Sequence, residues 1–279
     1  ALPISVWVIG AGKTLFEVND TTFSDIHKTT IGPGRSILYL TQDATANGTV
    51  AIYNSQFLNN VGDFGDIKIQ AFHGTTTVIL DGYTSVGGQG ACNTHFYQLT
   101  GTLNVQIRNS EFRDGYNYSP ATFVDGGAIC VETKNVSFSV NVTIEDTLFI
   151  HNAANGPGGA IYWIGTSGSP YKFHLTNVTF ENNFCIETGN TVCVGSALFI
   201  QPTASMDLAL TNCNFIGNYG RESVVHLLGQ YPSDQLSAVF TNCTFTNNTA
   251  TDAIIVHNQI NSANPVSLNV TGCNFDANS

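Results

Sequence analysis

The groups in this sequence that could do acid–base chemistry are few. Two acidic pairs are on offer, Glu145 with Asp146 and Asp63 with Asp66, and paired carboxylates are what glycoside hydrolysis requires. His226 and His257 each follow an apolar tripeptide, SVV and IIV, which would stack them on adjacent strands as a metal or proton-relay pair. No third ligand stands in register with them, so a surface ladder is the expectation. Asp81 in LDGY lacks the spacing of an EF-hand calcium loop and reads as a turn residue, as does Asp146. Tyr116, Tyr118, Tyr162 and Trp163 could line a sugar site, but aromatics beside small residues are expected to pack locally. The chain is therefore expected to hold no catalytic residue, no metal and no cofactor, and not to be an enzyme.

Sulfur and amide chemistry say more. Of seven cysteines, Cys185 and Cys193 flank the polar insert CIETGNTVC, and a disulfide closing that loop is expected. Cys213, Cys243 and Cys273 recur in one register and read as a ladder of buried free thiols, while Cys92 and Cys130 are left without an assigned pairing. Nine glycosylation sequons occur, at Asn19, Asn47, Asn117, Asn135, Asn141, Asn177, Asn242, Asn247 and Asn269. Together with the cysteines they point to a secreted or cell-surface glycoprotein. Asn177, Asn242 and Asn247 also stand in or beside turn positions, where backbone geometry alone would select asparagine.

Composition agrees with that placement. Hydrophobic residues make up 42% of the 279 and charged residues 10%, with 9 Lys plus Arg against 20 Asp plus Glu and a net charge of −11. No basic run exists to meet nucleic acid or an anionic membrane. No apolar stretch approaches the roughly 20 residues of a membrane-spanning helix. Without a charged segment before Ala1 the sequence reads as a mature secreted form.

The elements that position these groups are written as a repeat. Phe57, Phe112, Phe149, Phe180, Phe215, Phe245 and Phe275 stand in one motif, at intervals of 55, 37, 31, 35, 30 and 30 residues. The long first interval is expected to hide a degenerate copy near Thr75 to Gly82. Three residues before each Phe stand Asn54, Asn109, Asp146, Asn177, Asn212, Asn242 and Gly272; three after stand Asn60, Gly115, Asn152, Asn183, Asn218, Asn248 and Asn278. These residue types tolerate positive φ, so both columns are expected to be sharp bends around a short strand. Short apolar strands flank the bends on either side. The expectation is an all-β, right-handed parallel β-helix with three short strands per coil. Phe would stack on Phe inside and Asn on Asn at the corners, in one domain over 1–279. Regular coils are expected over about 50–279 and irregular coils or a cap over 1–49, where the Phe and Asn register breaks.

GGAI at Gly126 and Gly158, alternating with FxxN at Phe57, Phe149, Phe180, Phe215, Phe245 and Phe275, resembles the repeats of polymorphic outer membrane proteins. The coil as a whole looks like the pectin-lyase-like right-handed β-helix superfamily, over about Val50 to Asn278. Members acting on polysaccharides are expected to show clustered aspartates with Gly-His-Gly and Arg-Ile-Lys, or an Asp cluster for calcium with paired arginines, and neither set stands in this sequence. The last motif, TGCNFDANS, stops within a coil, so either the polypeptide continues or another molecule covers the open edge. The expected function is a structural or surface protein assembled end to end into a fibre or stalk. An adhesin that binds a carbohydrate or a receptor is the second expectation, and a polysaccharide-degrading enzyme the third.

Overall fold

The computed structural model describes residues 6–11, 14–27, 38–43, 47–62, 65–71, 74–98, 100–117, 126–133, 139–165, 170–186, 193–229, 235–259 and 267–279. Among these there is no helix. The chain is a β-solenoid in which each coil gives one strand to each of three nine-stranded parallel sheets. The first sheet runs from Val6–Ala11 to Ala253–Gln259, the second from Thr14–Asn19 to Ser267–Thr271, and the third from Thr22–Ser24 to Asn274–Asp276. The expectation of three strands per coil is corrected in one respect. Gln89–Gly90, Tyr116–Asn117, Ala153–Ala154 and Phe184–Cys185 pair as a short fourth sheet.

Alternation along each strand decides what lies inside. On the second sheet Tyr171, Phe173 and Leu175 are buried while Lys172 points out, and Met206, Leu208 and Leu210 lie beside them in the next coil. The interior is a set of such columns, and the phenylalanine column of the third sheet is the most uniform. Phe112, Phe149, Phe180, Phe215, Phe245 and Phe275 stack face to face with centroids 4.6–5.0 Å apart. Coil spacing is therefore the offset-stacking distance of the rings themselves.

The column extends further toward the N-terminus than the sequence indicated. Phe23 pairs with Phe57 and its ring lies 4.6 Å away, so the irregularity expected over 1–49 does not apply to this coil. The hidden copy is found at residues 82–88. Ser85 takes the Phe position between Phe57 and Phe112, and the ring of Tyr83 fills the space, 5.4 Å from Phe57 and 5.3 Å from Phe112.

The bends are where expected on one side only. Asn54, Asn109, Asp146, Asn177, Asn212 and Asn242 have φ between 46° and 55° and Gly272 has φ 66°, all left-handed. On the other side the left-handed residue comes two positions after the Phe, at Asn59, Asp114, His151, Asn182, Gly217, Asn247 and Ala277. The asparagines three positions after it do not bend the chain. That turn aims them inward, and Asn60, Asn152, Asn183, Asn218 and Asn248 are fully buried.

Inside, the amides from Asn152 to Asn278 form one continuous ladder. Asn183 Nδ2 donates to the Phe149 carbonyl at 2.9 Å and to Asn218 Oδ1 at 3.1 Å, while the Asn183 backbone N–H donates to the same Oδ1 at 3.0 Å. The same three bonds recur at Asn152, Asn218 and Asn248. Each amide thus satisfies a carbonyl of the coil before and takes two donors from it, so a buried polar column carries no unmet group. Replacing Asn218 with Ala should orphan the Phe180 carbonyl together with the N–H and Nδ2 of Asn183. The expected cost is about 2–4 kcal/mol in urea denaturation. An equal loss from Asn182→Ala, which removes no ladder bond, would contradict the ladder's role.

Candidate functional site

The carboxylates do not converge. Asp146 sits at its corner with φ 47° and accepts a hydrogen bond from Asn177 Nδ2 at 3.1 Å, as a turn residue would. Its neighbour Glu145 lies exposed on the second sheet. Asp81 accepts from Arg108 Nε and Asn109 Nδ2, both at 2.9 Å. Asp63 lies outside the described residues, so its pairing with Asp66 is not described.

Asp66 itself is buried in the solenoid, where it mends a gap. Gly88 and Gly115 stand where the ladder would place asparagines, leaving Asn60 Nδ2 without an amide oxygen in the next coil. Asp66 Oδ1 accepts from Asn60 Nδ2 at 3.0 Å instead, and Asp66 Oδ2 accepts from Ser85 Oγ at 2.6 Å. Burial pushes the Asp66 carboxyl up to about 6, against the hydrogen bonds from Ser85 and Asn60 that favour its charge. Burial, with the Asp66 charge second, also holds the Tyr83 hydroxyl well above its usual range. This is a polar repair inside the core, with no surface on which a substrate could lie.

The histidine pair expected from the sequence does not form. His226 pairs with Val256, and His257 lines up one position later with Leu227, so the two stand out of register. His226 instead stacks on Phe199 at 5.6 Å, and its Nδ1 lies 3.2 Å from Ser223 Oγ. Ser223 is fully buried and accepts the Gly195 N–H at 3.2 Å. Desolvation pulls His226 down to about 4, with Asp252 opposing it. Among the described residues no three His, Cys, Asp or Glu side chains are placed to hold a metal ion.

The aromatic candidates are likewise absorbed into packing. Trp163 is a core residue 5.1 Å from Phe173, and Tyr162 is buried against Phe199 at 5.4 Å on the outer side of the first sheet. Tyr116 is half-buried, and Tyr118 lies outside the described residues.

Cysteines divide by face. Cys185 and Cys193 are bonded, with Cα atoms 5.3 Å apart. Cys92 and Cys130 form a second bridge, 6.0 Å between Cα atoms, inside a small apolar cluster with Tyr162, Val194 and Phe199 that covers the outer side of the first sheet. Cys213, Cys243 and Cys273 are free thiols in one column. Each donates to the carbonyl two residues back, the bond that Ser55, Ser110 and Thr147 make in the same column with hydroxyls.

Among sequon asparagines, Asn19, Asn47, Asn177, Asn242, Asn247 and Asn269 are exposed and Asn141 is half-buried. Asn135 lies outside the described residues. Asn117 is fully buried, which corrects the expectation of a glycan there, since the folded chain leaves its amide no path to solvent.

Two surfaces remain. A groove of about 310 Å³ crosses four coils at the start of the second sheet, lined by Tyr171, Lys172, Met206, Asp207, Leu236 and Ser237. His174 Nε2 lies 3.2 Å from Asp207 Oδ2 beside it. The coil Ser267–Asp276 exposes core columns edge-on, with Leu268 at 41%, Val270 at 40% and Phe275 at 48%.

Asp66 supplies a signed pH prediction. Its folded value of about 6 lies above the ordinary 3.8, so its contribution is fully present below 3.8 and is lost as pH rises through 6. His226 has the opposite sign, its stabilisation present above 6.5 and lost as pH falls through about 4. Urea denaturation of wild type and Asp66→Asn should therefore show the variant gaining relative stability from pH 4 to pH 7, by on the order of 3 kcal/mol. A parallel pH dependence in the two proteins would refute the buried carboxyl.

No helix of the described residues is long and apolar enough to cross a membrane. Comparison with family models, curated proteins and solved structures finds no match to this chain.

Proposed function

We propose that this chain is a rod-like structural or surface protein, secreted and N-glycosylated, whose coils are extended end to end by further coils. These come from a second copy or from the same polypeptide. The supporting observation is the coil Ser267–Asp276, where Leu268, Val270 and Phe275 present core columns 40–48% exposed. Phe16, Val18 and Phe23 of the first coil begin these same three columns. Apposing the two ends would set apolar column on apolar column and Phe on Phe. A head-to-tail contact of this kind does not close, and so produces an open filament. The kinship with pectin-lyase-like right-handed β-helices suggested by GGAI and FxxN belongs to the same proposal.

The groove at Lys172 and Asp207 favours a second reading, a carbohydrate-binding surface. It crosses four coils, so an extended chain lying in it would meet Lys172, Asp207, Ser237 and Ser267 in turn.

Negative-stain electron microscopy and sedimentation at low and high concentration test the first reading. Filaments are expected to lengthen with concentration and to be lost in Phe275→Arg. Compact particles at every concentration, in a chain that ends at this coil, would refute self-stacking and send the groove to glycan arrays. Mass spectrometry of the same sample should find glycans at Asn177, Asn242 and Asn247 and none at Asn117.

A further inference from the structure

The outer face of the third sheet has an order that neither the ladder nor end-to-end stacking uses. Its strands are three residues long, and the first and third residue of each point outward. The middle strand of the nine is Leu148–Ile150, with Leu148 39% exposed and Ile150 half-buried. Moving outward in the Ile150 column, the neighbours on the two sides are Arg113 and Glu181. The next pair out are Val86 and Ile216.

The central five positions of the column are therefore self-complementary about Ile150, while the outer pairs, Leu58 with Thr246 and Ser24 with Asp276, add no matching contact. Rotating a copy by a half-turn about an axis along the middle strand, in the plane of contact, keeps strand directions and inverts the order of coils. Ile150 then meets Ile150 of the second copy and Leu148 meets Leu148. Arg113 meets Glu181 in both directions, and Val86 meets Ile216. Sheets stacked without strong twist allow such face-to-face packing along their length.

The charges are free to make this contact. Arg113 spends Nε and Nη2 on a single oxygen of Glu111, leaving Nη1 for a second carboxylate, and its side chain is 43% exposed. Glu181 accepts from Asn182 Nδ2 at 3.4 Å through Oε1 alone, leaving Oε2 open. No described sequon asparagine lies within a strand of this face, and Asn177, Asn242 and Asn247 stand at the bends that border it.

We propose that this face is the interface of a two-fold symmetric lateral dimer, its occupant a second copy of this chain. Nine strands about 4.8 Å apart make the face about 40 Å long, and a width of roughly 10 Å gives about 400 Å² per copy. That is half the area of a standard stable interface, so the dimer is weak and concentration-dependent. The contact is isologous and closes at two copies, whereas end stacking grows without limit, so its success or failure is read independently of the proposed function.

The test is sedimentation equilibrium over a wide concentration range in the Phe275→Arg background, which removes end stacking. The expected result is a mass that doubles and stops. Glu181→Arg alone and Arg113→Glu alone set like charges face to face and should each weaken dimerisation tenfold or more. The double reversal, Arg113→Glu with Glu181→Arg, should restore it, which a merely structural role for either residue would not do. A monomer at all concentrations overturns the proposal, as do single reversals without effect or a double reversal that fails to rescue.

Discussion

Everything in this molecule depends on a residue meeting its own equivalent one coil away. The buried asparagine ladder states the constraint most sharply, because an amide in an apolar core is costly unless both its ends are bonded. Asn152, Asn183, Asn218, Asn248 and Asn278 satisfy one another in turn, and each closes the carbonyl of a phenylalanine in the coil before. One slip of register would leave every one of those groups unmet. The phenylalanine stack adds dispersion and ring contact to the same alignment but would tolerate small displacements. The asparagines specify the register, and the rings fill the volume.

Where the ladder is interrupted, the compensation shows what each part contributes. At Ser85 and Gly88 the coil lacks both the ring and the amide, and two other residues stand in for them. Tyr83 supplies a ring and Asp66 supplies an acceptor for Asn60, while Asn93 fills the space at Gly88, where an added Cβ would lie 2.7 Å from Asn93 Oδ1, without a hydrogen bond to either end of its amide. An uncharged acceptor has been exchanged for an ionisable one, which makes the stability of this segment follow pH.

The GGAI segments obey the same closeness of coils. Gly126 and Gly158 have φ of 88° and 76°, a conformation that side chains disfavour. Their successors Gly127 and Gly159 have no room for a Cβ, which would strike a carbonyl of the following coil, at Gly159 and Ser196 respectively. The two glycines thus answer different requirements, one of backbone conformation and one of contact between coils. On the outer side of this wall the Cys92–Cys130 bridge joins neighbouring coils, so covalent and hydrogen-bonded links act along the same axis.

The periodic features were legible in the sequence because a solenoid repeats its local environment. Phe every coil, Asn, Asp or Gly at the bend before it, thiols standing in one column, and a short cysteine loop all follow from spacing alone. What the sequence could not decide were matters of direction. Asn60 and Asn59 are equally suited to a left-handed bend, and only the folded path shows that Asn59 turns while Asn60 points inward. His226 and His257 have like contexts, yet a one-residue offset between strands keeps them out of register. Cys92 finds Cys130 because the coil brings residues 38 apart in sequence into contact, a closure that no local pattern encodes. Spacing determines which residues recur, and the pairing of neighbouring coils determines which way each of them points.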